Sequence, residues 1–157
     1  MGLSITPWSP LASGLLSGKY RKVNGLIIGQ GRVMEVKDSG NPVLEKFAKR
    51  EKNWEVLEAL VRVAAELNSS PAEVALAWVL GRPMVASVLI GVTRLEQLEM
   101  NLKALSLKIP EAHRDLLDKI SAPEATELDH FFGDFLQKMV NGGFLARSGM
   151  RTATGCA

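Results

Sequence analysis

Apolar side chains recur at helical spacing in two stretches of the chain. Between residues 51 and 68, charged residues alternate with an apolar stripe made of Trp54, Leu57, Leu60, Val61, Ala64 and Leu67. Between residues 95 and 105 the stripe consists of Leu95, Leu98, Leu102 and Leu105. Spacings of three and four residues place each set on one face of a helix, so both stretches are predicted to be helices that pack on the core.

Capping signals predict two further helices. Ser70 stands before Pro71, with Glu73 three residues further on. This order is typical of a capping box with proline in the first helical turn, and it predicts a helix that runs to Leu80. Pro110 is predicted to open another helix, and a last apolar helix is predicted over residues 131–139.

Two short stretches have the composition of strands. Residues 3–8 predict a strand, and Pro10 prevents its pairing from continuing further. Residues 85–90 are free of charge, as expected for a parallel strand buried on both faces. The glycine-containing stretch 21–41 has no convincing period, so we predict a long mobile loop there.

Composition narrows the class of protein. The 157 residues are 46% hydrophobic and 23% charged, with a net charge of +2, which gives no reason to expect a nucleic-acid partner or an anionic membrane surface. The sequence shows no transmembrane stretch or signal peptide, so the expected location is the cytoplasm. Cys156 is the only cysteine, which leaves no intrachain disulfide and no metal-ligand companions for it.

The segment that follows residues 85–90 has the features of an anion site at a helix N-terminus. Gly91 permits close approach of a ligand, Thr93 is placed to cap the helix with Glu96 as its capping-box partner, and Arg94 adds a positive charge. The pattern alone is also compatible with ordinary helix capping and a solvated arginine.

Two motifs together resemble the aldo-keto reductase family. The first reads Trp-Ser-Pro-Leu at residues 8–11 and Gly-Leu-Leu-Ser-Gly-Lys-Tyr at residues 14–20. The second reads Gly-Val-Thr-Arg-Leu-Glu-Gln-Leu-Glu-Met-Asn at residues 91–101. In this family both follow the last two strands of the barrel, and the resemblance covers at least residues 3–119.

The resemblance implies an α/β fold, the (β/α)8 or TIM barrel. Such a barrel needs about 250 residues, so a chain of 157 corresponds to its C-terminal fragment. We therefore expect residues 1–143 to form the last two strand-helix units and the C-terminal helices, mostly helical with two or so short strands. Residues 144–157 are expected to be a disordered tail.

The resemblance also implies a site for NADP(H). Trp8 would lie against the nicotinamide ring, and Ser9 and Leu11 would contact the pyrophosphate. Gly14, Gly18 and Lys19 would shape and charge the loop that follows residues 3–8, which correspond to the seventh strand of the barrel. Near the last strand the implied residues are Gly91, Thr93, Arg94, Gln97 and Asn101. The guanidinium of Arg94, with Thr93, would bind the 2′-phosphate, which favours NADP over NAD.

Gln97 and Asn101 would reach the adenine from one face of the helix. Met100 stands where the family commonly has a carboxylate or amide. The long loop at residues 21–41 can fold over the bound cofactor in this family, and plain disorder is the alternative.

None of the family's catalytic Asp, Tyr, Lys and His can be mapped here, because these residues lie in the earlier strands. Tyr20 is the only tyrosine and is expected to serve packing or the loop. The chain alone is thus expected to be inactive as an oxidoreductase, and to associate with itself or with a complementing N-terminal chain. The alternatives are a non-catalytic nucleotide-binding or interaction module, and an inactive gene remnant.

Overall fold

A computed structural model describes residues 3–24, 26–29 and 49–123 of the chain. The chain divides into two compact units, Met1–Ser121 and Ala122–Ala157, and almost all described residues belong to the first. The predicted helix at residues 131–139, the tail at 144–157 and Cys156 lie outside the described residues.

The longest elements of the described structure are four α-helices: α1 over Glu51–Glu66, α2 over Pro71–Leu80, α3 over Leu95–Leu102 and α4 over Glu111–Ser121. These four helices confirm the sequence predictions, with boundaries that move by a few residues. The predicted capping box of α2 is also confirmed, since the main-chain N–H of Glu73 donates to Ser70 Oγ at 3.2 Å and that of Ser70 donates to Glu73 Oε2 at 2.9 Å.

The core lies between α1, α2 and α4, because α1 turns one apolar face towards the other two. The buried residues of α1 are Trp54, Leu57, Ala59, Leu60, Val63 and Ala64. The prediction was wrong for Val61, which is 43% exposed. Leu60 and Leu117 share one buried cluster that joins α1 to α4.

The two predicted strands lie side by side and run parallel, as expected. They are joined by two isolated bridges, Ile5 to Val85 and Trp8 to Leu89, and do not form a continuous ladder. The prediction that residues 85–90 are buried on both faces was wrong, because Leu89 is 56% exposed. The side chains of a parallel strand are buried when helices cover both faces of its sheet. The described residues do not cover both faces of this pair, since Ile5 is also 54% exposed.

A β-hairpin occupies part of the stretch predicted to be loop. Strand β1, Arg21–Val23, pairs antiparallel with β2, Leu26–Ile28, so the prediction was wrong for these residues. The missed signal is Asn-Gly at residues 24–25, a favoured hairpin turn, with Asn24 in the left-handed region at φ 49°. Residues 30–41 of the predicted loop lie outside the described residues.

Three of the four leucines in the stripe predicted between residues 95 and 105 are exposed and Leu98 is half-buried, which corrects the prediction that these leucines belong to the core. Leu95 is 65% exposed, Leu102 48% and Leu105 69%, and α3 has no buried residue. The following 3₁₀ turn, Lys103–Leu105, buries Ala104 instead. The helix contacts α2 on one side, and the described residues provide no element that covers the leucine side.

A polar contact joins the C-terminal end of α2 to α4. The indole N–H of Trp78 donates to Asp118 Oδ1 at 2.7 Å, and Arg82 forms an ion pair with the same carboxylate. The guanidinium of Arg82 also lies 3.9 Å from the centre of the Trp78 ring. Burial, and after it the nearby charge of Arg114, lowers the pKa of Arg82. The contacts with Asp118 and with the Trp78 ring stabilise the charged guanidinium.

Candidate functional site

Two loops leave the same end of the parallel segments. The bridge between Trp8 and Leu89 pairs the last residue of the first segment with the penultimate residue of the second, so the Ser9 loop and the Gly91 loop both begin at the same end of the pair. In α/β proteins the loops at the carboxyl ends of parallel strands commonly build the ligand site. The two sequence motifs therefore occupy the positions where such a site is expected.

The loop after Trp8 contains several residues with left-handed backbone. They are Ser9, Ala12, Ser13, Gly14 and Gly18. Hydrogen bonds within the loop hold this path: the N–H of Ser13 donates to Ser9 Oγ at 3.4 Å, and the N–H of Gly14 donates to Leu11 O at 2.9 Å. Since non-glycine residues adopt this conformation only at a cost, the surrounding structure must impose the loop's shape.

The two glycines of this loop differ in their surroundings. A Cβ atom on Gly14 would lie 3.2 Å from Lys19 Nζ, so the absence of a side chain leaves room for the ammonium group. A Cβ atom on Gly18 would lie 2.8 Å from Pro71 Cγ, at the start of α2. Gly14 thus leaves room for the ammonium group of Lys19, whereas Gly18 lets the loop pack directly on α2.

The aromatic residues at the two ends of this segment have opposite environments. Trp8 is 81% exposed, and its ring is open to a ligand. Tyr20 is 2% exposed and belongs to a cluster with Leu15, Trp54 and Leu57, which confirms the predicted packing role. Leu11 packs its side chain against the helical core, so its main chain is the part that faces the loop.

The second loop places Arg94 at the start of α3, but the predicted capping box is wrong. Arg94 occupies the N-cap position of α3, and its side chain makes no capping hydrogen bond to the helix. Instead of capping α3, Thr93 donates from its N–H to Gln97 Oε1 at 3.0 Å and from its hydroxyl at 3.3 Å. The amide of Gln97 therefore holds the loop beside Arg94, a role that the sequence pattern did not predict.

The start of α3 has the chemistry of an anion site. The main-chain N–H groups of Leu95 and Glu96 make no hydrogen bond within the described residues, and the exposed guanidinium of Arg94 precedes them. A Cβ atom on Gly91 would meet no atom within 4 Å, so the space beside this loop is open. Asn101 is half-buried one turn after Gln97 on the same helix.

The described residues hold no group of three or more histidine, cysteine or carboxylate side chains that could bind a metal ion. The described helices are likewise too short or too polar to cross a bilayer. The two motif loops bring to the candidate site a glycine-containing turn, the cations Lys19 and Arg94, and the exposed ring of Trp8.

The sequence model of the Aldo/keto reductase family matches residues 1–122. The chain belongs to this family. Members share the (β/α)8 fold, and the parallel segments with their following helices are consistent with part of such a barrel. The match contains both motifs of the candidate site.

Three relatives illustrate the range of proteins that resemble this aldo-keto reductase chain. A protein of Oryza sativa subsp. japonica named "Probable voltage-gated potassium channel subunit beta" is 38% identical over 80% of this chain and 38% of its own length. The L-glyceraldehyde 3-phosphate reductase of Escherichia coli is 41% identical over 67% of this chain and 29% of its own length. The "Uncharacterized oxidoreductase YrpG" of Bacillus subtilis is 32% identical over 76% and 32%. The chain thus spans about a third of the length of these relatives.

Proposed function

We propose that the chain is the cofactor-binding C-terminal part of an NADP(H)-dependent aldo-keto reductase, formed by the last two strand-helix units of the barrel. The observation that carries the proposal is the common end of the two parallel segments, from which both motif loops leave. Barrels frequently build a phosphate site from the loops after strands 7 and 8.

The first loop supplies contacts for the nicotinamide and pyrophosphate. The open ring of Trp8 offers a stacking surface to the nicotinamide, and Lys19, exposed beside Gly14, offers a charge to the pyrophosphate. Ser9 contributes its hydroxyl and Leu11 its main chain, while Gly18 fixes the loop on α2.

The second loop supplies the preference for a 2′-phosphate. Arg94 brings a planar fork of donors to an exposed position beside unpaired N–H groups of α3. A neutral ribose hydroxyl would leave that charge without a partner, so NADP(H) binds better than NAD(H). Glu96 in the same helical turn keeps the site from being uniformly positive.

The adenine contacts divide between two residues of α3. Gln97 Oε1 is engaged by Thr93, which leaves the amide N–H₂ of Gln97 free to donate to the base. Asn101 lies one turn further on the same face. Met100 is 45% exposed, so its thioether is available for packing on the base.

The reaction itself needs groups beyond this site. The bound cofactor supplies a hydride, whereas the residues named here bind and orient it. Tyr20 cannot protonate a substrate from its position, because it is 2% exposed in a hydrophobic cluster. We therefore assign no catalytic residue to this chain.

We expect no carbonyl reduction by the chain alone. With NADPH and a reactive aldehyde, the loss of absorbance at the wavelength of the reduced nicotinamide should match a protein-free control. The same sample must first show saturable NADPH binding, so that inactivity is separated from failure to bind. Turnover that scales with protein concentration and survives further purification would contradict the assignment.

Titration with NADPH and NADH tests the proposed function directly. Calorimetry on the purified chain, with circular dichroism on the same sample, should give saturable binding that prefers NADPH. Equal affinity for the two cofactors, or no binding by a sample with helical circular dichroism, would overturn the proposal.

Replacement of Gly91 separates folding from binding. Gly91 does not have a left-handed backbone, and its added Cβ would meet no atom, so Gly91→Ala should leave the circular dichroism and unfolding midpoint unchanged. If the cofactor passes close to the backbone there, the methyl group should weaken NADPH binding by about 1 kcal/mol. Gly81→Ala, at the C-cap of α2 and away from both loops, is the control for binding.

A second function is favoured by the rice relative, which is named as a probable voltage-gated potassium channel subunit beta. In that case the same site would bind NADP(H) without turnover, as part of an accessory subunit in the cytoplasm. A complementing chain that confers carbonyl reduction would favour the enzyme, whereas a complex that binds NADPH without turnover would favour the accessory subunit.

A further inference from the structure

Both hydrogen-bond donors of Thr93 meet a single acceptor. Its main-chain N–H donates to Gln97 Oε1 at 3.0 Å, and its hydroxyl donates to the same oxygen at 3.3 Å. Gln97 is half-buried on α3, whereas Thr93 and Arg94 are exposed. The chain therefore brings an oxygen of its own to two donors that stand directly before the exposed guanidinium.

The Gln97 oxygen is a weaker acceptor than the oxygen of an anion. An amide oxygen carries only a partial negative charge, whereas a phosphate oxygen carries a full charge and accepts shorter, stronger hydrogen bonds. Each donor of Thr93 has one hydrogen, and both hydrogens are directed at Gln97. A phosphate bound by Arg94 together with Thr93 must therefore displace Gln97 from Thr93.

We propose that Gln97 is a specificity-determining residue, because in the free chain its Oε1 takes the place of one oxygen of the 2′-phosphate. This inference rests on the proposed NADP(H) site. NADPH exchanges the two bonds of Gln97 for charge-assisted ones, whereas the neutral 2′-hydroxyl of NADH leaves them intact. The N–H₂ group of Gln97 stays available to the adenine in either arrangement. The contact thus lowers the preference for NADPH and lets the chain accept NADH.

Removal of the acceptor should increase the preference for NADPH. Gln97→Met keeps a long, flexible side chain but cannot accept from Thr93, so the ratio of NADPH to NADH affinity should rise about 3- to 10-fold. Both cofactors carry the same adenine, so loss of an adenine contact cancels in this ratio. Gln97→Glu holds Thr93 with a charged oxygen and repels phosphate, so the ratio should fall at least about tenfold. An unchanged or lower ratio in Gln97→Met, measured by calorimetry, would refute the proposal.

Leu98→Met is the matched control, because it places the same side chain at the next position of α3 and removes no hydrogen bond. It should change the ratio by less than about twofold. Amide hydrogen exchange in the free chain gives a readout without cofactor. The N–H of Thr93 should exchange at least about threefold faster in Gln97→Met than in Leu98→Met. Equal exchange in the two variants, at equal unfolding midpoints, would overturn the proposal.

Inorganic phosphate separates this proposal from the proposed function. In nuclear magnetic resonance titrations without cofactor, phosphate should shift the Thr93 amide signal at a concentration about 3- to 10-fold lower in Gln97→Met than in the unmodified chain. Equal midpoints, or no shift in either chain, would show that Gln97 does not compete with phosphate. Failure of the unmodified chain to bind NADPH would count against the proposed function, whereas the phosphate titration still decides the role of Gln97.

Discussion

Arg94→Ala should weaken NADPH binding by about 1 to 3 kcal/mol, or about 5- to 150-fold in Kd, and should leave NADH binding almost unchanged. Arg94 stands exposed at the N-cap of α3, and its guanidinium can donate two parallel hydrogen bonds to a phosphate. NADH lacks the 2′-phosphate, so its affinity provides an internal reference. Calorimetric titration of both cofactors on the same preparation gives the ratio directly.

Two variants control this prediction. Arg62→Ala removes an exposed arginine from α1 and should leave both affinities unchanged. Arg94→Lys keeps the charge but loses the fork, and should retain part of the preference for NADPH. The loss should also shrink as salt increases, because the guanidinium is exposed and salt screens it. Equal losses for NADPH and NADH in Arg94→Ala would refute the phosphate contact.

Leu60→Ala should destabilise the chain by about 2 to 5 kcal/mol. Leu60 is 3% exposed and lies in the cluster that joins α1 to α2 and α4. Truncation to alanine removes buried methyl groups and leaves a space that the three helices cannot fill without moving. Urea unfolding followed by circular dichroism, with NADPH omitted, gives the change in free energy.

The neighbouring residue provides the control. Val61→Ala should change the free energy of unfolding by less than about 0.5 kcal/mol, since Val61 is 43% exposed on the other side of α1. The pair also tests the orientation of α1, because the periodicity of the sequence placed both residues on its buried face. Similar losses in the two variants would show that α1 is rotated from the position described here.

The helices were largely predictable because their signals are local. The period of α1, the Ser70 cap of α2 and the proline before α4 each act within a few residues, and the structure confirms all three. The hairpin was missed although its Asn24 turn was visible in the sequence. Short strands of three residues carry too few positions for a period to appear, so only the turn could have predicted them.

The positions of the two motifs were predictable from the sequence, whereas one of their predicted contacts was wrong. Both motifs follow the ends of parallel segments, as the family resemblance implied. The prediction that Thr93 caps α3 was wrong, because the residue pattern of a capping box does not determine which hydrogen bonds its side chains form. In the structure Gln97 accepts from Thr93, and this choice depends on the path of the loop from Gly91.

The sequence by itself determined where helices begin, which family the motifs resemble and which residues carry charge at the proposed site. These properties depend on residue type and on spacing within one or two turns. Only the tertiary structure decided burial: the same leucine pattern is core in α1 but 48% to 69% exposed at Leu95, Leu102 and Leu105. Periodicity selects the face of a helix that can be buried. Whether that face is covered depends on distant elements, and the described residues provide them for α1 and not for α3.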